Sequence, residues 1–301
     1  MDKKVQEKFR WIHLPSLLYE TYKQWMDDEP FRLSAIVAYY AVLSLPALLI
    51  IILNVVGSIW GTEIVQGELT NEFTAALGKD TALAIESMIA ESSNQKRNTI
   101  SSIIGIGTLL FGATGVFYQL KISLNEIWGI KPDQKAFLKR IVIDRARSFA
   151  FILVIGFLLL ISFILTTAVT ALSNVISSQL PEIFIFLAYT IDTIVSLGII
   201  TLLFALMFRY LPDSKVRWKT VWIGALLTAV LFVLGKLLLS LYFAQMEPGS
   251  TYGAAGSIVL ILLWVSYSCL ILFFGAEFTN VYAERYGHGI QPSDIAIEVE
   301  N

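Results

Sequence analysis

Thirty consecutive residues between Arg32 and Glu63 carry no charge, and five more runs of similar character follow. Arg97 to Lys121 encloses 23 uncharged residues, Arg147 to Glu182 encloses 34, and Glu247 to Glu277 encloses 29. The stretch from Glu182 to Arg209 is broken by Asp192 alone, and that from Lys219 to Glu247 by Lys236 alone. A helix needs roughly 20 apolar residues to cross the hydrocarbon core of a bilayer. Backbone in lipid must satisfy its own hydrogen bonds, and a helix does so within one segment. A barrel would instead show short segments of alternating polarity. The reading is an all-α polytopic membrane protein with six transmembrane helices, near 34–60, 101–121, 148–173, 183–209, 220–245 and 256–282. Composition agrees, with 56% hydrophobic residues and only 15% charged, whereas soluble domains carry about 25% charged residues.

Lysine and arginine then set the orientation. Eighteen of the 22 fall before the first span, in the second and fourth loops, and in the tail. Lys79, Lys96 and Arg97 lie on the other side, and Lys236 lies within a span. Cations are retained on the cytoplasmic side, so both termini are expected there. No cleaved leader is expected, and the first apolar run is expected to act as a signal anchor. The chain divides into a cytoplasmic interfacial segment (1–33), a six-helix membrane domain (34–283) with an outer loop (61–100), and a flexible cytoplasmic tail (284–301). In LPSLLYETYKQWMDDEP, Pro15 is expected to open a helix that places Leu18, Tyr22, Trp25 and Met26 on one face. KPDQKAFLKRIVIDRARS has the interleaved basic and apolar residues of a segment lying on the inner leaflet. Leu69, Phe73 and Leu77 recur at helical spacing in the outer loop. Two short amphipathic helices are expected there, either as a cap packed on the bundle or as a lid or partner surface.

Five stretches carry a resemblance to a known family. They are SAIVAYYAVLSLPALL in the first span, GATGVFYQLKISLNEIWGI after the second, RARSF opening the third, LPDSKVRWKTVWIGALLTAVLFVLGKLLLSLY into the fifth, and TYGAAGSIVLILLWVSYSCLILFFGAEFTNVYA in the sixth. In this order and spacing they resemble the YihY/virulence factor BrkB family of bacterial inner-membrane proteins, over about residues 30 to 285. The outer loop and the tail contribute nothing to the likeness. The resemblance implies a six-helix protein of the bacterial inner membrane. It does not settle an activity. Members have been labelled ribonuclease BN, one has been linked to resistance to serum killing, and lipid or lipopolysaccharide transport has been suggested for relatives.

The residues argue against the ribonuclease label. Two-metal hydrolysis needs clustered histidines and carboxylates. The two histidines, His13 and His288, sit in opposite terminal regions. The pair Gly235-Lys236 lacks the preceding glycine and following serine or threonine of a phosphate-binding loop. Cys269 alone cannot form an internal disulfide or a zinc site. The expectation is a protein that is not an enzyme, with no cofactor, no metal and no nucleic-acid partner.

Charges inside the spans are the candidate site. Asp192 lies nine residues into the fourth span from its outer end, and Lys236 nine residues into the fifth. Both are therefore ~14 Å deep. Their pairing would lower the cost of each. The pair reads either as a clamp between helices or as the polar floor of an outward cavity. Glu277 lies near the inner end of the sixth span, at the level of Arg145, Arg147 and Asn125. These read as a helix-end salt bridge or as an inner gate. Gly105, Gly107, Gly112, Gly115, Gly253 and Gly256 permit close helix approach or unwinding. Pro46 is expected to kink the first span. The functional expectation is transport or binding of an amphipathic or anionic solute or a lipid, with membrane lipids as partners. The alternative is a non-transporting scaffold or envelope-integrity factor whose outer loop binds a partner. Oligomeric state is left open.

Overall fold

The computed structural model describes residues 10–77, 81–83, 85–87, 112–132, 142–158, 161, 181–246, 255–293 and 296–298. Among the described residues the chain is mostly helical. Leu14–Asp27 forms α1, Pro30–Val55 forms α2, Gly57–Trp60 forms α3 and Thr62–Leu77 forms α4. Gly115–Ile127 forms α5, and residues 142–158 form α6. Pro181–Tyr210, Trp218–Met246 and Gly256–Tyr286 form α7, α8 and α9. Four segments are long and apolar enough to cross a membrane: Pro30–Ile59, Thr193–Tyr210, Trp218–Phe243 and Gly256–Tyr286. Their mean hydropathy runs from 1.9 to 2.5. Leu234, Leu237, Leu238 and Leu241 stand exposed on α8, as a lipid-facing surface requires. Parts of the expected second and third spans, 101–111 and most of 159–173, lie outside the described residues.

Helix α9 is the central element, packed along α2 and α8. Two reciprocal notches bring α8 and α9 together. A Cβ on Gly224 would overlap Thr279, and one on Gly275 would overlap Thr228. Each threonine donates to the carbonyl four residues back on its own helix, at 2.7 Å. Its methyl and hydroxyl therefore fill the neighbour's glycine gap with no polar atom left over. Backbones that approach this closely gain packing that lipid cannot supply. Farther along the same seam, Gly235 faces Tyr267 and Ile271. Gly112 and Gly115 let the start of α5 lie against Ala47 and Ser44 of α2. Helix α2 runs continuously through Pro46.

One end of the bundle, here the basal end, is elaborated. Pro15 sits in the first turn of α1, as expected. The inward face of α1 is Leu17 with Thr21, and Leu17 packs on Phe278, Val281 and Tyr282 of α9. Tyr22 and Met26 are exposed. Trp25 stacks edge-on to Phe274. His13 Nδ1 lies 2.9 Å from the Tyr286 hydroxyl, so both ends of α1 are tied to α9. The segment Asp28-Glu29 reverses the chain into α2, with Glu29 in the left-handed region at φ 52°.

The tail was expected to be flexible, and here the structure differs. Ile130–Pro132 (β1) and Ser214–Lys215 (β2) leave loops at the basal end. Gln291–Pro292 (β3) pairs antiparallel with β2, and Ala296–Glu298 (β4) pairs antiparallel with β1. The physical reason is that both loops offer short strand edges, and Ile290 and Ala296 pack on the core beside them. In the outer segment, Val65 and Leu69 of α4 are buried and Phe73 packs on the core, while Leu77 falls outside the described side chains.

Candidate functional site

Lys121 and Asn125 are one turn apart on α5 and share a face. Asp144 and Arg147 are likewise three apart on α6. The two faces meet over Asp213, in the loop between α7 and β2. The Lys121 amine donates to Asp144 Oδ1 and lies 2.8 Å from Asp213 Oδ2. Arg147 Nη1 donates to Asp213 Oδ1 at 3.0 Å. Asn125 closes the network twice: its Nδ2 donates to Asp213 Oδ2 at 3.3 Å, and its Oδ1 accepts the Asp213 backbone N–H at 2.8 Å. Lys121, Asp144 and Asp213 are all buried. Among these four side chains two acids meet two bases. The opposed charges and the extra hydrogen bonds offset the desolvation that burying Lys121, Asp144 and Asp213 costs.

Arg145 takes the opposite side of α6. Its Nη1 donates to Thr114 Oγ1 at 2.5 Å, and its guanidinium lies over the Tyr118 ring, 5.6 Å from the centroid. Asn125 and Arg147 thus come together on Asp213, while Arg145 anchors the start of α5. Lys236 lies on the exposed side of α8. Asp192 is a helical residue of α7 whose side chain lies outside the described residues. Tyr210 and Trp218 meet edge to face where α7 and α8 join, with ring centroids 6.1 Å apart. Asp192 and Lys236 are each 18 residues from that junction along antiparallel helices.

Beside the ionic network lies a cavity of about 940 Å³. Its walls come from the end of α1, the end of α5 with β1, the basal part of α9, and Ile290. Trp128 holds two of these walls together by donating its indole N–H to the Ala276 carbonyl at 3.0 Å. Asn125 belongs to the wall and to the network, so the cavity and the buried ions share one side chain. Asp27, Asp28, Glu126, Glu277 and Glu284 line the cavity, against Lys131. Arg32, outside the wall, lies 2.5 Å from Glu126 Oε1 and offsets that one carboxylate.

Glu277 is 1% exposed. Its Oε1 accepts from Asn280 Nδ2 at 3.5 Å, and its Oε2 has no hydrogen-bond donor. The Asp28 carboxyl lies within hydrogen-bonding reach of Glu277. Two ionised carboxylates only accept, so a bond between them requires a proton on one. Burial raises the Asp28 carboxyl to about 6; its hydrogen bond with Glu277 opposes that rise, and the charges of Glu126 and Asp27 add to it. Asp28, Lys121, Asp144 and Asp213 are the site residues that sequence reasoning missed. The spacings Lys121–Asn125 and Asp144–Arg147 were available as a signal, since each pair shares a helical face. Asp28 and Asp213 sit in polar loops, where nothing local distinguishes a buried carboxylate.

Fold and site together define a helical membrane protein with several apolar helices and a charged cavity at one end of its bundle. A family model described as virulence factor BrkB matches residues 21–295. The chain belongs to that family, as its motifs led one to expect. It is 26% identical over 258 residues to a UPF0761 membrane protein of Vibrio vulnificus (strain YJ016), covering 82% of this chain and 76% of that one. It is 25% identical over 271 residues to a UPF0761 membrane protein of Saccharophagus degradans, covering 89% of this chain and 60% of the relative. A third such protein, from Pseudomonas aeruginosa (strain LESB58), is 26% identical over 242 residues, covering 79% of this chain and 54% of its own length. No solved structure matches the chain.

Proposed function

We propose that the chain is a solute carrier of the bacterial inner membrane, with six spans and both termini in the cytoplasm. The basal cavity is its cytoplasmic solute site, and the protein acts without catalysis. One observation carries this reading: a cavity of about 940 Å³ reaches a carboxyl buried within an apolar helix. Solute sites typically occupy about 300–1,000 Å³. An ionisable group inside a span is costly and marks a solute or ion path by default. The orientation is supported by position. Among the described residues, Lys23, Arg32, Lys131, Arg147, Lys215 and Arg285 lie on elements at the basal end, which is where the positive-inside rule puts the cytoplasm. The cavity's excess of carboxylates disfavours the anionic solute that the sequence led one to expect. A lipid remains as a second reading, supported by a separate apolar groove of about 590 Å³ between α7 and α8, lined by Ile194, Leu197, Trp222 and Leu226.

The test is reconstitution into proteoliposomes on a capacitive sensor. Charge movement is recorded on addition of cationic, zwitterionic and anionic metabolites. At least one class should give a saturable current that falls about tenfold or more in Glu277→Gln, the equivalent of losing roughly 1.4 kcal/mol of binding. Folded protein that gives no current with any class would leave a scaffold as the better account.

A further inference from the structure

The geometry points to an organic cation as the occupant of the basal cavity, its ammonium or guanidinium group seated between Asp28 and Glu277 in place of a proton those carboxyls share. This names the solute class for the cavity proposed above and rests on that reading of it. Five carboxylates line the space: Asp27 at the end of α1 and Asp28 in the turn after it, Glu126 on α5, and Glu277 and Glu284 on α9. Lys131 opposes them from β1, and Arg32 offsets Glu126. An anion entering would meet this excess of like charge.

A second observation points independently to a donor. Glu277 is 99% buried from solvent, and no protein N–H donates to its Oε2, so the proton held with Asp28 is the one hydrogen available between the two carboxyls beyond the Asn280 contact on Oε1. One proton satisfies only part of the acceptor capacity of two carboxyls. An ammonium brings three N–H donors and a guanidinium five. Either can reach both carboxyls at once, and Asn125 and Asn280 supply further polar atoms on the wall. Among the described residues no three His, Cys, Asp or Glu side chains converge to hold a metal ion, so the carboxylates suit a larger cation with several donors. Ile122, Ile127 and Ile290 line the rest of the space and suit an alkyl stem.

The charges balance. In the empty site one proton lies between two carboxyls, giving a net charge of minus one. On binding, that proton leaves to solvent and one cationic group takes its place. Two carboxylates and one cation again sum to minus one, so the buried charge is unchanged by the exchange. The cost of desolvating an extra charge is thereby avoided.

Titration calorimetry of the purified full-length chain with agmatine, which carries both cationic groups, tests this directly. The titration is run at pH 7 in phosphate and again in HEPES, whose ionisation heats differ and neither of which is a primary ammonium. Saturable binding with release of up to one proton per agmatine is expected, and glutarate as the anionic control should give no binding. Glu277→Gln should weaken agmatine binding by about tenfold or more, a loss of roughly 1.4 kcal/mol, and abolish proton release. Asp28→Asn serves the same purpose if Glu277→Gln does not fold. Absence of agmatine binding to folded wild type overturns the inference, as does unchanged affinity or unchanged proton release in the variants. The carrier reading fails separately: agmatine that binds but drives no current removes transport and leaves a cation site, whereas currents from anions alone remove the cation site and leave a carrier.

Discussion

Lys121 is buried against two carboxylates, and its removal would leave Asp144 and Asp213 to share Arg147. Lys121→Met should therefore destabilise the protein by roughly 3–5 kcal/mol, as breaking a buried ion pair does. Adding Asp144→Leu should restore part of that loss, because the second change removes a buried carboxylate that the lysine no longer neutralises. Thermal melts in mild detergent, read by tryptophan fluorescence, would check both, and an additive double variant would refute the coupling. Asp28 makes a different prediction. Its carboxyl is raised from 3.8 to about 6, chiefly by burial. The folded state therefore holds this proton more tightly than the unfolded state does. Stability is greatest below the unfolded value and is lost as pH rises towards the folded one, between about 4 and 6. Asp28→Asn should raise the melting temperature at pH 8 and leave it nearly unchanged at pH 4. Because Asp28 is only half-buried, the gain at pH 8 should be on the order of 1 kcal/mol after solvent screening. At this scale the sequence exposes a charge only where its surroundings are apolar. Glu277 stood out in an apolar run, and Asn125 and Arg147 were flagged at its level. Asp213 and Asp28 occupy loops rich in polar residues, and their burial depends on which helices close over them.

At the scale of elements, the α8–α9 seam depends on glycines placed opposite threonines. Gly275→Val should push Thr228 and the α8 backbone away from α9. The expected cost is about 1–3 kcal/mol, typical of overpacking, and the melting temperature should fall with secondary structure retained. Gly198 on α7 has nothing near its missing Cβ, so Gly198→Ala should be tolerated; equal losses in the two variants would refute the seam argument. The spacing Gly224–Thr228 on one helix and Gly275–Thr279 on the next was legible as a small-residue pattern four apart. The more conspicuous glycines drew attention first. Gly112 and Gly115 do serve close packing, against Ala47 and Ser44. Gly105, Gly107 and Gly253 lie outside the described residues. Long apolar helices were readable because each is a local pattern. Which faces meet was not, because an apolar span shows little difference between its sides until partners are chosen.

The whole molecule adds a constraint that neither scale contains. The tail returns across the basal end, and Ser293 donates its backbone N–H to the Asp213 carbonyl at 2.9 Å. The same short segment pairs with β2 beside the ionic network and with β1 beside the cavity. Ile295, Ile297 and Val299 alternate with Ala296, Glu298 and Glu300 at the period of a strand. That signal was present in the sequence, but a strand this short needs an edge, and β1 and β2 lie at least 76 residues earlier. If the tail closes the cavity, deletion of residues 290–301 should leave the spans folded and loosen their basal end. Trypsin should then cut faster after Lys215 and Arg217, while circular dichroism retains its helical signal. Agmatine affinity should fall by about tenfold or more, roughly 1.4 kcal/mol, because β1 and Ile290 no longer hold the cavity wall. A truncated protein with unchanged cleavage and unchanged affinity would mean that the pairings only decorate the bundle. Faster cleavage with full affinity would separate the two roles, showing that the tail braces the loops while α1, α5 and α9 alone shape the cavity.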